Sequence, residues 1–287
     1  ENAEITIECN PESTDRRLLE ALLSSGANRL SFGVQAAHDD ELRRIGRIHD
    51  FEKAKHAVLL ARSCGFHNIS LDLMYGLPGQ TQEMFLDSLS QCLALEPTHL
   101  SCYGLKLEPA TKMGRENPTL PDDDAQADTY LAMCGELRRH GFEHYEISNF
   151  AKPGFESRHN LSYWQDVPYL GLGAAAHSYL EGQRYENVHE IPLYIEGIRS
   201  GKGVRREEEP VTRAIAMEEF AFLALRTAKG IDKRRFAEKF GVTLAEVYAE
   251  PIAKLRQQGL LAEEGDFVHL TELGMKYGNA AFEEFLL

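Results

Sequence analysis

The chain has 287 residues, 43% of them hydrophobic, and a formal net charge of −14. That length allows one large domain, or a large one and a small one. The acid excess argues against non-specific nucleic-acid binding, which needs a basic surface. No window approaches the roughly 18 apolar residues of a membrane span, and no signal peptide is visible. The cysteines at 9, 64, 92, 102 and 134 are scattered and odd in number. They make no disulfide framework and no zinc site, and they suit a reducing cytoplasm. The chain opens without Met and almost inside a strand, so it is expected to be the remainder of a longer protein.

Taken in order, residues 4–9 alternate and predict a strand, broken by Asn10-Pro11. Ser13, Thr14 and Asp15 offer N-caps for a helix carrying Leu18, Leu19, Leu22 and Leu23. Leu30 to Gln35 is the next strand, followed by a short helix from Asp39 to Ile45. Asp50 caps a helix through Ala54, Ala57, Val58 and Ala61 that Gly65 closes. Ile69, Leu71, Leu73 and Tyr75 then alternate with Ser70, Asp72 and Met74, which predicts a strand over 68–75. Gly76, Pro78 and Gly79 stop it, and Thr81 caps a helix over 81–94. A strand follows at 99–107. Strand-plus-helix units of 30–40 residues are the spacing of βαβ units in a parallel sheet. The choice lies between a (β/α) barrel, or part of one, and an open doubly wound sheet.

Beyond a linker at 118–121, Asp122 to Asp124 cap a helix to about Arg139, and 142–148 is a short strand. Residues 149–185 read as irregular, and so long a loop-rich stretch is uncommon unless functional. Near 200–210 the composition shifts, which marks a boundary. Helices are expected over 212–227, 232–240 and 243–258, with Pro251 as a kink. A hairpin over 260–270 and a last helix from 271 complete a winged-helix-like module. Residues 205–287 hold 12 Lys/Arg against 15 Asp/Glu, which argues against DNA as its partner. The expected organisation is a barrel over 1–110, an extension over 111–204 and this module over 205–287.

Asp72 is the oddity, an acid inside an apolar strand. A buried carboxylate is costly unless a protein group or a ligand pairs with it. Glu8 and Gln35 stand towards the ends of their own strands, where barrels carry functional groups, and Arg47 follows closely. Glu8, Gln35, Arg47 and Asp72 converge on one polar ligand in one reading, with acids for ribose hydroxyls and Arg for a carboxylate. In the other reading Glu8 and Arg47 form a structural bridge.

Ile5-Thr-Ile-Glu8-Cys-Asn-Pro11, Asn28 to Gln35, Leu42 to Asp50 and Asp72-Leu-Met-Tyr-Gly-Leu-Pro-Gly-Gln-Thr81 resemble successive blocks of the radical S-adenosylmethionine (SAM) family. The branch they most resemble contains oxygen-independent coproporphyrinogen III oxidase and the related haem chaperone HemW. The resemblance implies an α/β fold, a partial (β/α)6 barrel with a C-terminal winged-helix-like domain. It implies SAM bound against a [4Fe–4S] cluster in the full-length parent. Glu8 and Asp72 would hold the ribose side, with Gln35 and Arg47 as further SAM contacts and Arg47 at the methionine carboxylate. Met74 and Gly76 would line the adenine end.

The family's C-x3-C-x2-C cluster motif and its glycine-rich block are absent. Truncation by roughly 90 residues is therefore expected, on the size of the missing βα units. As given, the chain is not expected to hold a cluster or to do radical chemistry, and no catalytic residue is assigned. His159-Asn-Leu-Ser-Tyr163-Trp164 matches the H-N-x-x-Y-W pattern of the chaperone branch, and 169–178 resembles a block common to both branches. His159, Tyr163, Trp164 and His177 are haem candidates by chemistry. The alternatives are a backbone-bonded loop histidine and a core tryptophan. The implied function is a haem chaperone that binds haem and passes it to a haem protein at the membrane surface. The enzymatic alternative is coproporphyrinogen III oxidase. A cytoplasmic protein, peripheral to the membrane, is expected.

Overall fold

The computed structural model describes residues 2–207 and 210–287. It forms two compact units, Glu1–Ser157 and Arg158–Leu287. The junction falls inside the 111–204 segment of the sequence reading.

The first unit opens with β1 (Thr6–Cys9), α1 (Arg16–Ser24) and β2 (Arg29–Gln35). Then come α2 (Asp39–Arg44), α3 (Phe51–Ser63), β3 (Ile69–Tyr75), α4 (Gln82–Leu93) and β4 (His99–Gly104). It closes with α5 (Lys112–Glu116), α6 (Asp123–Arg139), β5 (Glu143–Glu146) and β6 (Asn149–Ala151). Helix starts are chemically specified. Asp15, Asp50, Thr81 and Asp122 each accept a hydrogen bond from the backbone N–H three residues on, which satisfies a donor that the helix itself cannot. The sheet order is β1-β2-β3-β4-β6-β5. The first four strands are parallel, and β6 returns antiparallel to β4.

One face of this sheet is apolar. Leu30, Phe32, Val34, Ile69, Leu71, Leu73, Leu100 and Cys102 pack against Leu19, Val58, Phe85, Leu89, Met133 and Leu137. Helices α1, α3, α4 and α6 therefore all lie on one side of consecutively ordered strands. A doubly wound sheet would place helices on both sides, so the arrangement is an arc of a barrel. The opposite face is polar. Neighbouring strands align Glu8 with Ser31, Ser31 with Ser70, and Ser70 with His99. One step along, Gly33 aligns with Asp72, Asp72 with Ser101, and Ser101 with Asn149.

The second unit opens with α7 (Arg158–Trp164), β7 (His177–Leu180), β8 (Gln183–Asn187), α8 (Ile191–Ser200) and β9 (Arg205–Glu207). β7, β8 and β9 form an antiparallel sheet. Next are α9 (Arg213–Leu225), β10 (Ile231–Asp232), α10 (Lys233–Phe240) and α11 (Leu244–Gln257). It ends with β11 (Leu261–Glu264), β12 (Phe267–Leu270), α12 (Glu272–Lys276) and α13 (Gly278–Glu283). Three helices with a β10-β12-β11 sheet have the winged-helix shape. Phe220, Phe236, Phe240, Tyr248 and Phe285 form its aromatic core.

Three expectations need correction. Residues 149–185 are irregular only in part, because they also hold β6, α7, β7 and most of β8. The β7–β8 turn is Glu181-Gly182, with φ 54° and 74°, the left-handed pair that a two-residue hairpin uses. The strand expected to reach 107 stops at Gly104, where the Tyr75 ring lies 3.1 Å from the position a Cβ would take. The stretch 142–148 turns back on itself as the β5–β6 hairpin. In α11 the helical geometry breaks at Tyr248 (φ −121°, ψ 22°), three residues before Pro251, as the proline ring and its missing N–H require.

Candidate functional site

Asp72 projects from β3 onto the polar face, because its neighbours Leu71 and Leu73 are committed to the helix-covered core. Ser31 Oγ donates to Asp72 Oδ1 at 3.0 Å, and Ser70 Oγ lies 3.5 Å from the same oxygen. Burial pushes the Asp72 carboxyl above the ordinary carboxylate range. Hydrogen bonds from Ser31 and Ser101 and the charge of Arg29 pull it down, while Glu8 pushes it up.

Glu8, Gln35 and Arg47 come to the same region by separate routes. Glu8 is the register neighbour of Ser31 and is exposed. Gln35 follows the β2 irregularity and has φ 70°, rare for a residue with a side chain. Its side chain lies over Gly33, the partner of Asp72. A Cβ on Gly33 would meet Gln35 Nε2 at 2.9 Å and stand 3.9 Å from Arg47 Nη2. Arg47 reaches Asn10 Oδ1 at 3.4 Å rather than Glu8, so the structural-bridge reading finds no support. Buried His49 braces this loop, with Nε2 3.3 Å from Val34 O and Nδ1 3.3 Å from Glu12 Oε2.

Met74 stays on the polar side of β3, level with Tyr103, and buried Gly76 begins the turn with φ 73°. Gln80 holds that turn closed. It accepts from Leu77 N at 3.3 Å and donates to Met74 O at 3.4 Å. Sequence reasoning missed Arg29, Ser31, Ser70, His99, Ser101 and Tyr145, which line the same face. The alternation His99-x-Ser101-x-Tyr103, in phase with Ser70-x-Asp72, carried that information. The position of Tyr145 depends on the β5–β6 hairpin, which the sequence pattern did not reveal.

In the second unit, α7 brings His159 and Tyr163 edge to face, with ring centroids 4.9 Å apart, and Tyr163 meets Tyr169 at 4.7 Å. Arg226 stacks over Trp164 at 5.1 Å, and the indole Nε1 is buried with no hydrogen-bond partner among the described residues. His177, on β7, instead faces Glu186, with Nε2 3.7 Å from Oε2. His189 Nε2 lies 2.8 Å from the same oxygen.

Two family models match. Residues 1–92 match the radical SAM superfamily and residues 211–277 the HemN C-terminal domain. The chain is 40% identical to the heme chaperone HemW of Bacillus subtilis (strain 168) over 288 residues, covering 99% of this chain and 76% of that protein. It is 34% identical to the heme chaperone HemW of Escherichia coli (strain K12), over 99% and 75%. The chain belongs to the heme chaperone HemW family. Coproporphyrinogen III oxidase (HemN) from Escherichia coli, a radical SAM enzyme, superposes with a TM-score of 0.85. At 23% identity, covering 99% of this chain and 70% of that one, the likeness speaks for the fold alone.

Membership in the radical SAM superfamily carries SAM and a [4Fe–4S] cluster as cofactors. The residues present fit the first. The Gln35 amide and the Arg47 guanidinium stand over Gly33, the Asp72 carboxylate lies beside it on β3, and the charge of Glu8 reaches Asp72. They do not fit the second. Among the described residues no group of three His, Cys, Asp or Glu can hold a metal. Burial pushes the Cys9 thiol up to about 11, Cys92 to about 12, and Cys102 upward as well. These three stay protonated in the core, unlike a cluster ligand. No helix among the described residues is long and apolar enough to cross a membrane.

Proposed function

We propose that this chain serves haem transfer. It binds haem and passes it to a haem-accepting protein, and it carries the ribose and carboxylate contacts of a SAM site. The observation that supports the SAM site best is the convergence of Gln35 and Arg47 over Gly33, beside Asp72. In this reading Asp72 and Glu8 accept from the ribose hydroxyls. Arg47 faces the methionine carboxylate, Gln35 adds a further polar contact, and Met74 and Gly76 flank the adenine. These residues would bind and orient SAM, which would supply the radical chemistry of the superfamily when bound.

Haem we place in the second unit, with His159 and His177 as candidate iron ligands and Tyr163 and Trp164 as ring contacts. The acceptor we place at the membrane surface. Helix α8 leaves Ile191 65%, Leu193 51% and Ile198 57% exposed, and Arg199, Lys202, Arg205 and Arg206 follow, a pattern that suits an anionic lipid surface. Haem titration of the full-length protein tests the function. A Soret band saturating at micromolar haem and weakened in His159→Ala or His177→Ala is expected, and no binding at that concentration overturns the reading. Flotation with phosphatidylglycerol vesicles tests the membrane placement. It is expected to carry the protein, and recovery of all protein at the bottom rejects that placement.

A further inference from the structure

On the polar face of the first unit, five groups stand in a single hydrogen-bonded file. Ser157 N–H donates to the Tyr145 hydroxyl oxygen at 3.2 Å. That hydroxyl lies 2.7 Å from His99 Nε2. His99 Nδ1 lies 2.8 Å from Ser70 Oγ, which is 3.5 Å from Asp72 Oδ1. His99 and Ser70 are fully buried, and Tyr145 is 9% exposed, so bulk water does not complete these bonds.

The direction of the file follows from its ends. A backbone N–H can only donate, so the Tyr145 oxygen accepts from Ser157, and in the direction that gives the Tyr145 hydrogen an acceptor it goes to His99 Nε2. The imidazole then carries its hydrogen on Nδ1 and gives it to Ser70 Oγ. Ser70 in turn has its hydrogen free for the carboxylate, which can only accept while ionised. Tyr145, His99 and Ser70 each donate once and accept once, and the file ends with Ser70 donating to Asp72. The other direction would leave the Tyr145 hydrogen without an acceptor in the file and turn the Ser70 hydrogen to His99 and away from Asp72. Burial and the nearby Arg29 hold the His99 pKa well below its ordinary value, which is consistent with the neutral ring that this scheme needs.

We infer that His99 is a positioning residue for Asp72, holding the carboxylate, through Ser70 and against Tyr145, in the rotamer that receives the ribose of SAM. The inference rests on the SAM reading of Asp72 given above. His99 touches no ligand; it acts by removing the freedom of a carboxylate that would otherwise be ordered at the moment of binding.

The test is equilibrium binding of S-adenosylhomocysteine to the full-length protein, with a double-mutant cycle between His99 and Asp72. Asp72→Asn is expected to weaken binding about tenfold or more, the scale of a hydrogen bond to a charged group. His99→Phe is expected to weaken binding about five- to tenfold in the native background and by less than about twofold when Asp72 is already Asn. Tyr145→Phe, which removes one oxygen and leaves the volume, is expected to show the same pattern at about threefold. It stands in should His99→Phe fail to fold. In ¹⁵N-labelled protein, the His99 ring is expected as the Nδ1–H tautomer. Unchanged binding in Asp72→Asn overturns the SAM reading itself. Loss in Asp72→Asn without loss in either relay variant overturns only the positioning role. Equal losses in both backgrounds, or the Nε2–H tautomer, also overturn it.

Discussion

At the scale of single residues, the candidate SAM site depends on one missing side chain. Gly33 has an ordinary backbone conformation, so its requirement is space. A Cβ there would press on Gln35 Nε2 at 2.9 Å, and Gln35 already sits at φ 70°, where a side chain costs about 1–3 kcal/mol that its surroundings must offset. Gly33→Ala is therefore expected to displace the Gln35 amide and weaken S-adenosylhomocysteine binding by about three- to tenfold. The loss of fold stability is expected to stay near 1 kcal/mol, because the contact is the end of a flexible side chain. Calorimetric titration beside a urea melt separates the two, and a stability loss without a binding loss counts against the site. His99 makes a second prediction. Folding holds its pKa well down, whereas an unfolded histidine takes up a proton at about pH 6.5. The unfolded chain thus binds more protons below that pH, so the native state loses stability as pH falls through 6.5 and is unaffected above it. His144, also lowered, adds to the loss. Asp72, raised by burial, acts oppositely. Urea midpoints at pH 7.5 and 5.5 are expected to differ in the native protein, and to differ less in His99→Phe.

At the scale of elements, the parallel half was legible because its two faces obey different rules. Asp50, Thr81 and Asp122 announced their helices, and the alternation in 69–75 announced its strand. What was not legible had a common cause. β6 spans three residues and pairs only after the chain has turned at 147–148, and no local window records that pairing. The β7–β8 hairpin is Gln-Arg-Tyr-Glu-Asn on one side, too polar for a strand reading until its neighbour is known. The site shows the same division. Glu8, Gln35, Arg47 and Asp72 lay in blocks whose order was readable, whereas Tyr145 entered only through the unread hairpin. Helix α11 provides a test of local encoding in the second unit. Thr243 and Glu246 form a reciprocal capping box, and Thr243→Ala is expected to cost about 1 kcal/mol. Faster amide hydrogen exchange in the first turn of α11 would report it; unaltered exchange would show that tertiary packing alone holds that end.

At the scale of the whole molecule, shape and charge give opposite advice about the C-terminal module. A winged-helix outline suggests DNA, but the net charge of −14 repels a polyanion and offers no counterion release to drive binding. Electrophoretic mobility of a random duplex at 50 mM salt is expected to be unaltered by micromolar protein, and a salt-sensitive shift would contradict this. The two-sided sheet has a wider consequence. Leu71 and Leu73 face a core that tolerates apolar exchange at modest cost, while Ser70 and Asp72, one step away, hold polar atoms out of water on the face where we propose that SAM binds. Saturation mutagenesis along β3 should therefore give two tolerance profiles out of phase with each other. When variants are selected for folding, the polar positions should drift towards apolar residues and the melting point should rise. When they are selected for haem delivery, those same positions should be the ones that cannot change. β3 would then record, residue by residue, where selection for use has overruled selection for stability.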